Sequence, residues 1–538
     1  MGLTLENKPL HEYLRQNALE FPDKVAIIYY GKKITYKDLD SYSDRLAKFL
    51  SLQGIEKGDS VALYMQNSPQ YIISHFAIQK IGAIVGPCNP MFKEWELEYE
   101  LNDLNAKTLI TLDNQYPIFK NIQGNTKIEN VIVTNYKDML PDTPIPSFPE
   151  MIIDKCEIAE THDFMKIITE YDQTLELPKS YIEMSEDVGL VVYTSGTSGD
   201  PKGAMLTYRN TEFKTRCVVE NFTYSEKDVV LGVMPIFHIA GMLVGMNSPI
   251  MAGATMVLLT RFDAKSVLQA IDIYKVTLTY TTTPMINEMI KYYSSGSEKL
   301  DFESLRLNLC TSFGSQVTKE VSDEWESITG VPLFEFAYGM SETHTADTLM
   351  PPKEIRYGSF GKPTFETQIK IIDVEGSGKE LGVGESGEIV IKSPSVFKGY
   401  MNNPVATSQS LIDGWFYSGD IGKFDSDGYL YFLGRNKEMI KCSGYSVFPE
   451  EVEKMLNKHP KINQTAVIGI PDSVRGESVK AFVVLNKGAE DSITEEELII
   501  WAKEKMAAYK YPREIEFIES LPQTSTNKLL RRLLKSTH

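Results

Sequence analysis

The chain lacks the cysteine spacing of a cross-linked or zinc-binding scaffold. Its five cysteines, Cys88, Cys156, Cys217, Cys310 and Cys442, are dispersed and none forms a CxxC pair. That excludes a disulfide framework and a zinc ribbon, and fits reduced thiols in a cytoplasmic protein. Basic charge is also short: 55 Lys and Arg against 73 Asp and Glu leave a net charge of -18. Such a surface repels a phosphate backbone, so neither a nucleic-acid partner nor a polybasic membrane anchor is expected. The start, Met1 to Glu6, has no apolar signal core, and Glu6 stands where a myristoylation signal has Ser or Thr. One run, Ile239 to Leu259, carries no charge over 21 residues, but Gly241, Gly245, Asn247, Ser248, Pro249 and Gly253 interrupt it. The Asn-Ser-Pro break predicts a helix, a turn and then a buried strand over Ala254–Leu259, with no transmembrane segment.

The chain does have length. Its 538 residues are too many for one ordinary domain, and at roughly 100–200 residues per domain three or four folding units are expected. With 42% hydrophobic residues it can bury a large core. Patterning predicts helices over Asp38–Leu52 and Ser68–Ile81, and strands at Ser60–Tyr64 and Lys107–Leu112. Residues 113–187, with Pro141, Pro144, Pro146 and Pro149, look like surface connection. Alternation resumes with an apolar strand at Gly189–Tyr193, a helix from Asn210, and repeated helix and strand over 264–345. From 367 to 433 the pattern turns to short strands between Gly-rich turns. From Lys437 onward a compact α+β unit is expected, with helices at Pro449–Lys458 and Thr494–Met506 and strands at Gln464–Ile470 and Val479–Leu485.

The sharpest local feature is Tyr193-Thr-Ser-Gly-Thr-Ser-Gly-Asp-Pro-Lys-Gly203, a glycine- and hydroxyl-rich loop fed directly by an apolar strand. Glycine lets backbone N–H groups approach an anion, Thr194, Ser195, Thr197 and Ser198 add hydroxyl donors, and Lys202 adds a charge. These are the needs of a polyphosphate. The loop is not a GxxxxGK[ST] phosphate loop, because Pro201 precedes Lys202 and Gly203 follows it.

This loop resembles the signature loop of the adenylate-forming superfamily, which includes acyl- and aryl-CoA ligases, luciferases and amino-acid adenylation domains. Further segments resemble that family in order along the whole chain: Tyr338-Gly-Met-Ser-Glu-Thr343, Tyr417-Ser-Gly-Asp420, Gly434-Arg-Asn-Lys-Glu-Met-Ile-Lys-Cys-Ser-Gly444, and Leu521-Pro-Gln-Thr-Ser-Thr-Asn-Lys528 with Arg531. Ser341 stands where the family usually has Thr, and Asn527 where it usually has Gly; Asn tolerates positive φ better than other non-Gly residues.

The resemblance implies an α/β fold: a large multi-layer N-terminal domain (1–434) of two α/β subdomains plus a small β-barrel, a hinge (435–437), and a small mobile α+β C-terminal domain (438–538). It implies that ATP or AMP is held by Thr194, Ser195, Gly196, Thr197, Ser198, Gly199 and Lys202, by Ala337, Tyr338, Gly339 and Ser341, and by Asp420, Arg435, Lys437, Lys441 and Lys528. Tyr338 would stack on adenine, Asp420 would take the ribose hydroxyls, and Glu342 would hold Mg²⁺, a hard cation that prefers oxygen ligands. Lys437 would be the hinge. Ser443 and Gly444 would line the passage for coenzyme A. Catalysis would rest on Lys528, Glu342, Lys202 and His238.

The expected reaction is ATP-dependent activation of a fatty or aryl acid to acyl-AMP with release of pyrophosphate, then thioester formation with CoA, as in an acid–thiol ligase. Attack on the α-phosphate converts an oxide leaving group into AMP, and the charge that builds there calls for cations. The alternative is transfer of the acyl group to a carrier-protein thiol or another acceptor. In Pro235-Ile-Phe-His238-Ile-Ala-Gly241, His238 stands where amino-acid adenylation domains carry Asp, which favours an acid without an amino group. His238, Ala240, Met242, Phe313 and Gly314 are expected around the acyl group, with Met246 and Thr283 as further lining. Phe313 replaces a small residue and is expected to narrow the pocket. The partners implied are the acid, ATP and CoA, and a homodimer is compatible with the family.

Overall fold

The computed structural model describes residues 5–149, 154–170, 181–194, 201–296, 299–312, 316–374, 378–442, 445–472, 475–489, 492–523 and 529–535. Short apolar runs become parallel strands covered on both faces, as all-parallel sheets require. An eight-stranded sheet takes the order Gly399–Tyr400, Gly203–Thr207, Val188–Tyr193, Ile84–Cys88, Ser60–Tyr64, Thr108–Leu112, Asn130–Thr134, His162–Asp163. Its strands from Val188–Tyr193 to His162–Asp163 run parallel; Gly203–Thr207 and Gly399–Tyr400 add antiparallel at the other edge.

A seven-stranded sheet takes the order Leu333–Glu335, Leu307–Thr311, Leu278–Thr282, Val229–Gly232, Thr255–Leu258, Val25–Tyr29, Lys32–Thr35. Here the N-terminal strand Val25–Tyr29 pairs in parallel with Thr255–Leu258, with Ile27 opposite Met256. The two sheets share one continuous apolar core.

Helix Tyr36–Leu52 begins two residues before its expected start, because Thr35 and Asp38 form a reciprocal capping box. Helix Pro69–Lys80 is buried along its whole length, packed on Tyr36–Leu52 and on the strands Ser60–Tyr64 and Ile84–Cys88. Helix Tyr208–Asn221 likewise starts two residues early, capped by Thr207.

Two expectations are corrected. Residues 113–187 are not mere connection: they supply helices Tyr116–Ile122 and Phe164–Glu170 and strands Asn130–Thr134 and His162–Asp163. The prolines do lie outside regular elements, yet Phe148 beside them packs edge-on to Tyr29 and Tyr30. The Asn-Ser-Pro sequence does not break its helix. Ile239–Met242, a π-turn at Leu243–Asn247 and Ser248–Ala252 follow without interruption, and the chain turns only at Gly253, φ +69°. Pro249 directly follows the π-turn, where the Ser248 N–H already reaches back five residues to the Leu243 carbonyl, so the proline's missing N–H falls where the ladder has shifted.

Residues 368–435 form an antiparallel sheet of Gln368–Ile372, Gly387–Lys392, Trp415–Phe424 and Leu411–Ile412, with Leu430–Arg435 paired to Trp415–Phe424. A small three-stranded sheet joins Ala337–Tyr338, Thr348–Leu349 and Lys362–Pro363. Beyond it, Ile440–Cys442, Tyr445–Val447, Ile462–Asp472, Gly476–Leu485 and Glu514–Phe517 build a fifth sheet. With helices Pro449–Leu456 and Glu495–Lys505 it encloses apolar clusters of its own, which include Ile440, Val452, Val467, Ala481 and Leu498. Among the described residues no helix is long and apolar enough to cross a membrane.

Candidate active site

The glycine-rich loop leaves the sheet as the connection of a β-hairpin, Tyr193 standing opposite Gly203. Thr194 N–H donates to the Lys202 carbonyl at 3.0 Å, and Lys202 N–H to Thr194 Oγ1 at 3.4 Å. Both stems are tied to helix Glu94–Asp103. The Tyr193 hydroxyl donates to Asp103 Oδ2 at 2.8 Å, and the Tyr99 hydroxyl donates to the Pro201 carbonyl at 2.9 Å. From the other side, Met401 N–H donates to the Gly203 carbonyl at 2.8 Å, and Asn402 donates to the Asp103 carbonyl at 2.7 Å. Ser195, Gly196, Thr197, Ser198 and Gly199, on which the polyphosphate expectation chiefly rests, lie outside the described residues.

Lys202 Nζ lies 5.0 Å from the centroid of the Tyr400 ring, and the Tyr400 hydroxyl donates to Glu342 Oε1 at 2.8 Å. Tyr400 therefore links the loop's lysine to the expected metal carboxylate. Burial and then the Glu342 charge push the Tyr400 hydroxyl well above its ordinary range, so it stays a donor. Among the described residues no cluster of three or more His, Cys, Asp or Glu side chains could hold a metal ion. Glu342, half-buried and offering hard oxygen, fits Mg²⁺ held mainly by phosphate oxygens and water.

Glu342 sits at the tip of a hairpin between the strands Ala337–Tyr338 and Thr348–Leu349. Ser341–Thr343 make one 3₁₀ turn, and then His344, Thr345 and Ala346 take φ of 59°, 55° and 51° in succession. Each such left-handed non-glycine residue costs roughly 1–2 kcal/mol. The run folds back over Gly339, where a Cβ would stand 2.4 Å from Ala346 N; only glycine fits. Beneath the turn, Lys214 Nζ donates to the Ala346 carbonyl at 2.9 Å and pairs with Asp347 Oδ1 at 3.1 Å, while Thr343 Oγ1 donates to Asp347 Oδ2. Lys214 and Asp347 have no exposed surface.

On the far side, Asp420 and Arg435 face each other across the ladder of Trp415–Phe424 and Leu430–Arg435. Arg435 Nε is 3.3 Å from Asp420 Oδ1, and the Tyr338 hydroxyl donates to Asp420 Oδ2 at 2.9 Å. Burial opposes the Arg435 charge, but Asp420, Glu438 and Glu342 outweigh it and hold the guanidinium protonated. Tyr338 and Ala337 are buried, while Gly339 and Ser341 are half-buried beside them. Thus Thr194, Lys202 and Glu342 form one set, joined through Tyr400, and Tyr338, Asp420 and Arg435 form a second, the two being connected by the hairpin that carries both Tyr338 and Glu342.

Lys437 is exposed in the turn Asn436–Glu438, and Lys441 is exposed on the strand Ile440–Cys442. His238, half-buried, begins the helix whose Gly241 abuts Pro235: a Cβ there would stand 2.2 Å from the Pro235 carbonyl oxygen. Ala240, Met242, Met246 and Thr283 are buried. Phe313 and Gly314, Ser443 and Gly444, and Lys528 lie outside the described residues. Sequence reasoning passed over Tyr400, Lys214 and Asp347. A signal existed for the last two: Lys214 occupies a buried helical position between Thr211 and Val218, and Asp347 is the lone acid between Glu342 and Glu354.

Comparison with known proteins extends this picture to the whole chain. Residues 14–401 match the model described as AMP-binding enzyme, and residues 451–528 that of the AMP-binding enzyme C-terminal domain. A long-chain-fatty-acid–CoA ligase of Bacillus subtilis (strain 168) is 37% identical over 544 residues, spanning 99% of this chain and 95% of that protein. The crystal structure of an anthranilate CoA ligase in complex with anthranoyl-AMP superposes with a TM-score of 0.85 at 29% identity, covering 98% of this chain and 97% of the other. An o-succinylbenzoate coenzyme A synthetase from Bacillus subtilis, in complex with ATP and magnesium ion, gives 0.82 at 28% identity, covering 98% and 99%.

Proposed function

The chain belongs to the AMP-binding enzyme family, and on that premise we propose how its residues divide the work of an AMP-forming acid–CoA ligase. It activates a carboxylic acid with ATP to acyl-AMP, releases pyrophosphate, and passes the acyl group to CoA. ATP with Mg²⁺ and CoA are the co-substrates.

The observation that carries the division of roles is the chain of contacts from Arg435 through Asp420 to Tyr338 on one side, and from Glu342 through Tyr400 to Lys202 on the other. Asp420 takes the ribose hydroxyls, with Tyr338 fixing its carboxylate and offering a ring to adenine. Arg435, kept charged, faces the ribose and α-phosphate. Lys202 and Glu342 serve the phosphate end, Glu342 by holding Mg²⁺, which neutralises phosphate charge as it develops. Lys528 is assigned to the carboxylate and α-phosphate during adenylation. Ser443 and Gly444 are assigned to the CoA passage, and Lys441 to the nucleotide. We divide the chain at 435–437, with residues 1–434 holding acid and ATP and residues 438–538 turning about Lys437 between half-reactions.

His238, Ala240 and Met242 border the acyl group in this reading, with Phe313 and Gly314 closing it. A long-chain fatty acid is the first acid to try, given a relative of that name at 37% identity over nearly the whole chain. The enzyme is placed in the cytoplasm, and homodimerisation belongs to the same reading; sedimentation tests it. The deciding experiment is acid-dependent exchange of labelled pyrophosphate into ATP, followed by thioester formation with CoA. Exchange without a thioester, or a thioester only on a carrier protein, would reassign the acceptor.

A further inference from the structure

The hairpin that carries Glu342 has a support whose chemistry is unusual for its place. Lys214 comes from helix Tyr208–Asn221, and Asp347, 133 residues later, stands just before the return strand Thr348–Leu349 of the hairpin. Neither has exposed surface, nor do Thr343, His344 and Ala346 between them. A packing role alone would be served as well by two apolar side chains, since burying an ion pair carries a desolvation cost. What apolar side chains could not do is fix hydrogen bonds. Lys214 Nζ binds both the Ala346 carbonyl, at 2.9 Å, and Asp347 Oδ1, at 3.1 Å. The other carboxylate oxygen takes the hydroxyl of Thr343, the residue next to Glu342. Asp347 N–H returns to the Tyr338 carbonyl at 2.7 Å, and Thr345 N–H to the Met340 carbonyl at 2.7 Å. The pair thus holds both ends of the left-handed run that sets where Glu342 points.

The surrounding charges agree. His344, also without exposed surface, is kept neutral: burial, with Lys214 nearby, lowers its imidazole to about 3, so it does not compete for Asp347. Burial raises the Asp347 carboxyl while Lys214 and Thr343 pull it back, and the negative charge of Glu342 raises it further.

We propose that Lys214 and Asp347 are positioning residues for the metal: their buried ion pair, through Thr343 and the Ala346 carbonyl, holds the Glu342 carboxylate in the orientation that binds Mg²⁺ with ATP. This rests on the assignment of Mg²⁺ to Glu342 made above.

The test is Mn²⁺ binding read by electron paramagnetic resonance in the full chain with α,β-methylene-ATP, which is not cleaved between α- and β-phosphates. Glu342→Gln sets the scale and is expected to weaken Mn²⁺ at least tenfold. The double variant Lys214→Met with Asp347→Leu leaves no orphan charge. It is expected to weaken Mn²⁺ about tenfold, while AMP, measured without metal, binds within twofold of wild type. Thr343→Val, which removes only the hydroxyl link, is expected to weaken Mn²⁺ about threefold, and it stands in if the double variant does not fold. Wild-type Mn²⁺ binding in these variants, with Glu342→Gln impaired, overturns the inference alone. Unchanged binding in Glu342→Gln overturns the metal assignment and the inference with it. Equal loss of Mn²⁺ and AMP also overturns it, because that marks general disruption.

Discussion

The Tyr400 hydroxyl donates to Glu342 Oε1 at 2.8 Å while the ring of the same tyrosine lies 5.0 Å from Lys202 Nζ. One residue thus serves two charges, and its two parts can be removed separately.

Tyr400→Phe keeps the ring under Lys202 and removes the donor to Glu342. A hydrogen bond to a charged group is worth about 1.5–3 kcal/mol, so the half-saturating Mg²⁺ concentration in pyrophosphate exchange is expected to rise about tenfold or more. Tyr400→Leu also removes the cation–π contact, worth about 0.5–1 kcal/mol, and adds a severalfold rise in the KM for ATP. If Tyr400→Phe matches wild type at limiting Mg²⁺, the hydroxyl has no part in the site.

Tyr99 reaches the Pro201 carbonyl from helix Glu94–Asp103. Tyr99→Phe loses one neutral hydrogen bond, about 0.5–1.5 kcal/mol. The KM for ATP is expected to rise about two- to tenfold with kcat within twofold. A change confined to kcat would show that the tether acts elsewhere.

Glu335 is buried and accepts from Ser312 N–H at 2.8 Å, next to the segment that holds Phe313. Burial raises its carboxyl to about 7, against hydrogen bonds from Ser312 and Thr311 that lower it. The folded protein therefore holds a proton that the unfolded chain releases above its ordinary value near 4.5. The carboxyl leaves stability intact below that value and lowers it as pH rises to about 7, by about 3 kcal/mol in all. Glu335→Gln is expected to gain that amount over wild type between pH 5 and pH 8 in urea unfolding. A constant difference across that range would place the titration elsewhere.

Lys528→Ala is expected to slow acyl-AMP formation about a hundredfold or more, as loss of a cation facing a charged transition state does. Thioester formation from supplied acyl-AMP should persist. Stopped-flow comparison of the two half-reactions checks this, and equal losses would remove Lys528 from its assigned step. Asp420→Ala should raise the KM for ATP, and an unchanged value would remove Asp420 from the ribose.

How much of this was legible depended on whether the information was local. Ser60–Tyr64 could be read because five apolar-compatible residues stand between turn signals, and all five are buried. The nucleotide motifs could be read because each packs its chemistry into a few adjacent positions. Asn130–Thr134 escaped because a short β-branched run among polar and proline-rich neighbours gives no periodic signal. The helix through Asn247-Ser-Pro249 was misread because the π-turn Leu243–Asn247 shifts the backbone ladder just before Pro249 and so accommodates it. There Ser248 Oγ bonds the Leu243 carbonyl at 2.7 Å, across the π-turn. Tyr400 could not be read, since its partner Glu342 stands 58 residues away and only the fold brings them together; Lys214 and Asp347 each left a local trace, but their pairing across 133 residues left none.

The strand Val25–Tyr29 beside Thr255–Leu258 has a consequence for how the molecule is made. At about 5–20 residues per second the ribosome needs on the order of 10–45 s after the first strand emerges before its neighbour exists. Throughout that interval Val-Ala-Ile-Ile-Tyr, apolar and rich in β-branched residues, has only the short hairpin with Lys32–Thr35 to cover one edge. Nascent chains stalled before residue 255 are therefore expected to be its most aggregation-prone forms.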